Sequence, residues 1–180
     1  MSIVLVGSTS GSVTLQEPAV AGTTVFTLPA ASGEVMVSGN MPAFSVYTND
    51  SSGYFDSGIA AKVKFNVENF DTNNCYDSTT NYRFTPNVAG YYNFTCKILN
   101  NFAAPGQLIL YLYKNGTTLA ELQQTNIAQQ ANGFAVSYLA YANGTSDYFE
   151  IFYFQDKGND LAVYTGAHQT FWTGHMVRGA

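Results

Sequence analysis

The sequence predicts an all-β, antiparallel domain of the sandwich or barrel class, and three observations carry that prediction. Strand-like runs rich in Val, Ile, Phe, Tyr and Leu recur at short intervals from Ala43 to the C-terminal end. Asn-Gly pairs, Asn115-Gly116 and Asn143-Gly144, follow apolar runs directly. Such pairs reach the positive φ values that a two-residue hairpin turn demands. Finally, no window of ten or more residues combines helical apolar spacing with freedom from β-branched residues and breakers.

The first 41 residues stand apart. They contain no Tyr and little charge, and they are rich in Gly, Ser, Thr, Ala and Val. Two strand-like cores, Ser12-Val13-Thr14-Leu15 and Val25-Phe26-Thr27-Leu28, lie 13 positions apart, and each is followed by a proline. A segment with so few large apolar groups cannot close a core by itself, so it is expected to depend on partners. Ser38-Gly39-Asn40-Met41-Pro42 combines flexible residues with a stiff one and marks a boundary. The expected organisation is an extended β anchor or shaft over residues 1–41 and a head domain over residues 42–180.

In the head, strands are expected at 43–48, 60–66, 82–85, 90–99, 107–114, 117–123, 133–142, 147–155 and 169–177. Two of them are apolar on both faces. Leucines alternate with Ile109, Tyr111 and Tyr113, and Phe152 and Phe154 extend the same character into the 147–155 strand. A half-solvated antiparallel sheet alternates apolar with polar residues. The second apolar face therefore needs its own cover, and an identical subunit supplies it. Tyr111, Tyr113, Phe152, Phe154 and Trp172 are the expected interface residues, although parity alone does not say which face is which.

Composition narrows the function. Charged residues make up 11% of the chain and the net charge is −5. The seven Lys and Arg residues form no run, so the electrostatic footprint of a nucleic-acid binder is missing. Ile3 to Val6 is too short for a signal-peptide core or a membrane span. Synthesis in a cytoplasm, with no membrane insertion, is the expectation. Cys75 and Cys96 lie 21 positions apart without zinc-ligand spacing. They are expected as buried thiols, with a disulfide open in an extracellular particle.

No catalytic motif emerges. His168 and His175 have no nucleophile elbow, His-Glu-x-x-His or phosphate loop around them. Asp147, Glu150, Asp156 and Asp160 could supply carboxylates for glycoside cleavage, but no repeat architecture accompanies them. Asp71, Asn73, Asn74 and Asp77 could in principle face calcium, yet a solvated Asx-rich turn explains them better. The Asn-x-Ser/Thr sequons at Asn49, Asn93, Asn115 and Asn143 read as turn and strand chemistry. No enzyme, cofactor or metal is expected.

Phe65, Asp71, Tyr76, Phe84 and Gly90-Tyr91-Tyr92-Asn93-Phe94 form an ordered pattern. It resembles the signature of the complement globular-head family, the jelly roll shared with tumour necrosis factor. The segment between Tyr76 and Phe84 is one residue longer than usual, and Cys96 stands where a further aromatic is expected. Leu112-Tyr113-Lys114-Asn115-Gly116, Gly144 to Ile151 and Thr170-Phe171-Trp172-Thr173-Gly174 resemble later elements of the same family. Residues 11–33 resemble connectors of bacteriophage fibre proteins. Together the resemblances imply an antiparallel jelly-roll sandwich forming a trimeric head behind a short shaft. The implied protein is a virion surface appendage. Its residues 1–41 would join other virion proteins, and its head would bind a host-surface glycan or protein through loops 49–58, 71–81, 124–132 and 156–168. A secreted complement-type recognition module is the alternative, and a glycan-hydrolysing spike a more distant one.

Overall fold

A computed structural model of the chain describes residues 3–16, 18–20, 22–23, 25, 27, 30, 35–50, 54–100, 106–127, 132–158 and 161–180. Of the expected strand over residues 25–28, Phe26 and Leu28 fall outside them. Among the described residues no helix is long and apolar enough to cross a membrane. The chain divides into two compact units, Met1–Gly33 and Glu34–Ala180.

The first unit contains β1 (Ile3–Val6) and β2 (Ser12–Leu15), paired antiparallel with Ile3 opposite Leu15 and Leu5 opposite Val13. Every described residue of this hairpin is exposed. The second unit begins earlier than the expected boundary at 41/42. Met36 packs against the head core, and the Val37 N–H donates to Asn40 Oδ1 at 2.7 Å around a 3-10 turn, Ser38–Asn40.

The head continues with β3 (Ala43–Tyr47), β4 (Tyr54–Phe55), β5 (Ala61–Lys62), β6 (Val67–Asp71), β7 (Tyr76–Asp77), β8 (Arg83–Phe84), β9 (Gly90–Asn100) and β10 (Gly106–Lys114). β11 (Thr117–Ile127), β12 (Asn132–Ala142), β13 (Phe149–Gln155), β14 (Leu161–Ala162) and β15 (Phe171–Gly179) complete it. Two sheets make an antiparallel jelly-roll sandwich. One runs β12-β9-β15-β3-β6; the other runs β11-β10-β13-β8-β7, with β5 also paired to β13.

Alternation along the strands fills the space between the sheets. Leu108, Leu110 and Leu112 of β10 point inward with Phe149, Ile151 and Tyr153 of β13. Phe44, Val46, Tyr92, Phe94, Cys96, Ile98 and Trp172 answer from the facing sheet. Ring contacts stitch the layers: Phe44 stacks on Phe84 at 4.4 Å, and Phe94 meets Phe149 at 4.8 Å. Such pairs add about 0.5–1.5 kcal/mol each beyond area burial. Trp172 corrects an expectation. It is 0% exposed inside its own subunit, so it offers no surface to another copy.

The ordered pattern from Phe65 to Phe94 is structural in origin. Tyr76 donates its hydroxyl to the Phe65 carbonyl at 3.1 Å. Asp71 accepts the Asn73 and Tyr76 N–H groups at 3.3 and 2.7 Å. Phe84, Tyr92 and Phe94 are buried in the sandwich. At Gly90 a side chain would collide with Met176 and the Arg178 carbonyl. Cys75 and Cys96 are free and buried, and burial raises both thiol pKa values.

Candidate binding surfaces

Two outward sheet faces compete as functional surfaces. On the six-stranded sheet, Tyr111, Tyr113, Phe152 and Phe154 do share one face, as their parity requires. Each is half-buried within its own subunit. Phe152 stacks on Tyr113 at 4.0 Å, and Tyr113 meets Tyr111 edge-on at 6.2 Å. Much of their apolar surface is therefore covered without a second chain. Beside them Glu150, only 5% exposed, pairs with Lys62 at 2.6 Å, and Lys62 also donates to the Asn81 carbonyl at 3.1 Å.

The outward face of the five-stranded sheet is more open. Tyr91, Leu139, Tyr141, Val177 and Phe70 retain between 38% and 54% exposure. Sequence reasoning passed over these five residues. A signal was present in β12, where Ala140 and Ala142 point inward while Leu139 and Tyr141 point out. Large side chains outside and small ones inside reverse the order of a monomeric sheet. Across the middle of this face the register aligns Ser137, Thr95, Thr173 and Ser45 in one row. Ser137 and Thr95 share a hydrogen bond of 2.8 Å between their hydroxyl oxygens. Short side chains there keep the face low.

At the neighbouring open edge, Lys114, Leu119, Tyr138, Leu139, Ala140 and Tyr141 line a groove of about 230 Å³. Lys114 is fixed by a 2.8 Å ion pair to Asp147. Asp147 also accepts from Asn115 Nδ2 at 2.8 Å and from the Asn143 N–H at 2.9 Å. Burial pushes its pKa up, but these donors outweigh that push and hold the carboxyl below the usual range. Asn143 Oδ1 accepts the N–H groups of Thr145, Ser146 and Asp147 at 3.0 Å each. The side chains of the Asn115 and Asn143 sequons are thus engaged in holding turns.

The other candidates disperse. His168 and His175 are exposed and lie apart from Asp147 and Glu150, whose carboxylates are tied to Lys114 and Lys62. Asp156 is exposed, and Asp160 lies outside the described residues. Among the described residues, no three His, Cys, Asp or Glu side chains gather in a metal-holding arrangement. In the Asx-rich segment, Asp77 accepts the Thr79, Thr80 and Asn81 N–H groups at 2.9–3.0 Å, which leaves its oxygens engaged by backbone. Hydrogen bonds from Thr80 and its neighbours hold its pKa well below the carboxylate range, against a smaller upward push from burial. The expected receptor loop 124–132 is mostly strand, since β11 runs to Ile127 and β12 starts at Asn132; 128–131 lie outside the described residues. Loop 71–81 contains β7, and loop 156–168 contains β14.

The solved structures similar to this chain share its jelly roll. Murine APRIL at pH 5.0 superposes with a TM-score of 0.55 at 8% identity, covering 76% of this chain and 99% of that one. Eiger TNF from S. frugiperda gives 0.55 at 9%, covering 78% and 95%. The globular domain of zebrafish complement 1qA protein gives 0.50 at 19%, covering 77% and 98%. The head therefore has the jelly-roll fold of tumour-necrosis-factor and complement globular domains. At 8–19% identity that likeness is one of fold. No protein-family model matches the chain, and no curated protein matches its sequence.

Proposed function

We propose that this chain is a virion appendage protein whose jelly-roll head trimerises and binds a host-surface receptor, with the Met1–Gly33 unit joining the particle. The carrying observation is the open apolar face of the five-stranded sheet, where Tyr91, Leu139, Tyr141 and Val177 are about half exposed. A contiguous apolar patch of this kind marks an interaction surface. The 230 Å³ groove joins Leu139 and Tyr141 of that face to Lys114 and Leu119 at the neighbouring edge. A contact that seats one copy's edge, at β10 and β11, on the next copy's sheet face is heterologous, and a heterologous contact forms a ring when its rotation closes. Three copies match the symmetry that the family resemblance implies. The axis thus moves from the Tyr111–Phe152 face to the five-stranded sheet. Fibre connectors resembling residues 11–33 support the particle context.

The test has two parts. Mass spectrometry of purified virions is expected to find the chain, and light scattering of the soluble protein is expected to give three times the chain mass. A chain absent from every virion preparation but present as a secreted protein overturns the appendage reading. A stable monomer at micromolar concentration overturns the trimer.

A further inference from the structure

The seven basic residues are scattered in sequence, but three of them, Lys62, Lys64 and Arg83, come together on the outward side of the six-stranded sheet. Lys62 stands on β5 opposite Phe152, and Val63 and Phe65 beside Lys64 point into the core. Arg83 precedes the buried Phe84 on β8 and so faces outward as well. Lys62 is committed to Glu150. The other two are not: among the described residues neither the Lys64 nor the Arg83 side chain forms an ion pair or donates a hydrogen bond. Each instead lies on an aromatic ring. The Arg83 guanidinium sits 4.3 Å from the centre of the Tyr148 ring, and Lys64 Nζ sits 5.9 Å from that of Tyr82.

This arrangement has a chemical consequence. Contact with an aromatic face restrains a guanidinium while leaving its five N–H donors unspent on the ring. A fork held in that way receives a carboxylate, phosphate or sulfate two-pronged, at little entropic cost. The cations stand on a protein of net charge −5, and Asp77 lies opposite Arg83 in the β7–β8 pair with its carboxylate held by the Thr79, Thr80 and Asn81 N–H groups, so two cations without an ion pair are a local exception rather than part of a general basic field. From them the half-buried rings of Phe152, Tyr113 and Tyr111 continue across β13 and β10 as an apolar strip. Donors for an anion next to a strip for apolar C–H faces is the chemistry of an acidic sugar chain. Arg83 on β8 stands three places along the strand order from Leu119 on β11, the edge used in the proposed trimer contact, so assembly leaves it open.

The geometry points to this surface, centred on Arg83, Tyr148, Lys64 and Tyr82, as a binding site for an anionic glycan. The inference deepens the recognition half of the proposed function and rests on it.

The experiment uses the full-length protein and titration calorimetry. The probes are oligogalacturonate, its uncharged methyl ester, a dextran sulfate oligomer, a phosphorylated oligomannose and polyglutamate. At least one acidic saccharide is expected to bind, and the choice among them identifies the anion. Arg83→Gln with Lys64→Gln is expected to weaken that binding by about tenfold or more, with Arg83→Lys intermediate. Lys97→Gln, on the other sheet, is expected to change nothing. Unchanged molar mass and thermal midpoint show that the variants remain folded. The site is overturned if no acidic saccharide binds, if Arg83→Gln with Lys64→Gln leaves affinity unchanged, or if the ester or polyglutamate binds equally well. Because no virion is involved, failure here is separate from failure of the appendage reading, which the virion proteomics decides.

Discussion

The indole of Trp172 meets the ring of Phe44 edge to face, with centroids 4.9 Å apart. These residues sit on adjacent strands, Trp172 opposite Val46 and Phe44 opposite Gly174. Gly174 is what lets the rings meet there, since a Cβ on it would lie 2.5 Å from Phe44 and 2.6 Å from Phe94. Trp172→Ala is expected to cost about 3–5 kcal/mol of head stability. Urea unfolding measures it. A loss under about 1 kcal/mol would show the indole is not the core centre described here.

Gly144 makes a second prediction about the backbone. It has a φ of +71°, and an added Cβ would collide with the Ala89 amide. Gly144→Ala combines a left-handed penalty of about 1–2 kcal/mol with a clash against main chain that cannot swing away. Thermal unfolding is expected to report a larger loss than for Gly58→Ala. Gly58 is also left-handed, at +82°, but open space surrounds it.

Acid should destabilise the head through Asp147 and Asp77. Both carboxyls bind a proton less readily folded than unfolded. Their contribution is complete above the ordinary Asp value of about 3.9 and fades as pH falls below it. Thermal midpoints measured from about pH 6 to about pH 2 are expected to fall with acid. Asp147→Asn should flatten part of that slope. An unchanged slope would remove Asp147 from the account.

Assembly and stability should separate by sheet. Leu139→Lys with Tyr141→Lys places charge on the proposed contact and is expected to convert trimer to monomer by light scattering. Phe152→Ala is expected to lower stability, by less than the ~3–5 kcal/mol of a fully buried ring, while leaving trimer mass intact. The reverse pattern would return the axis to the six-stranded sheet.

Long strands were legible because their periodicity is long. The expected 90–99, 107–114 and 133–142 match β9, β10 and β12 to within a residue at each end. β11 ran four residues past its expected end, because Gln124 to Ile127 read as a polar loop while pairing with β10 supplies their order. Of the expected strand 60–66 only Ala61–Lys62 is strand, Val63 and Phe65 reach the core without regular pairing, and β6 at Val67–Asp71 was not expected. Two-residue strands such as Tyr76–Asp77 carry no period to read. Trp172 was misassigned for a related reason. Parity groups residues by face, but it does not say which face looks inward; Trp172 alternates with the outward Phe171 and Thr173. The exposed face of the five-stranded sheet was hidden because Ser137, Thr95, Thr173 and Ser45 interrupt the outward residues of β12, β9, β15 and β3.

The two buried thiols bear on where such a head can live. Neither Cys75 nor Cys96 is bonded to a partner, and burial keeps both in the unreactive protonated form. The fold is held by ring packing and two antiparallel sheets, none of which gains or loses electrons. The same domain can therefore mature under reducing conditions and endure in air-exposed water without any covalent rearrangement between the two. Its rigidity does not depend on the redox state of the medium.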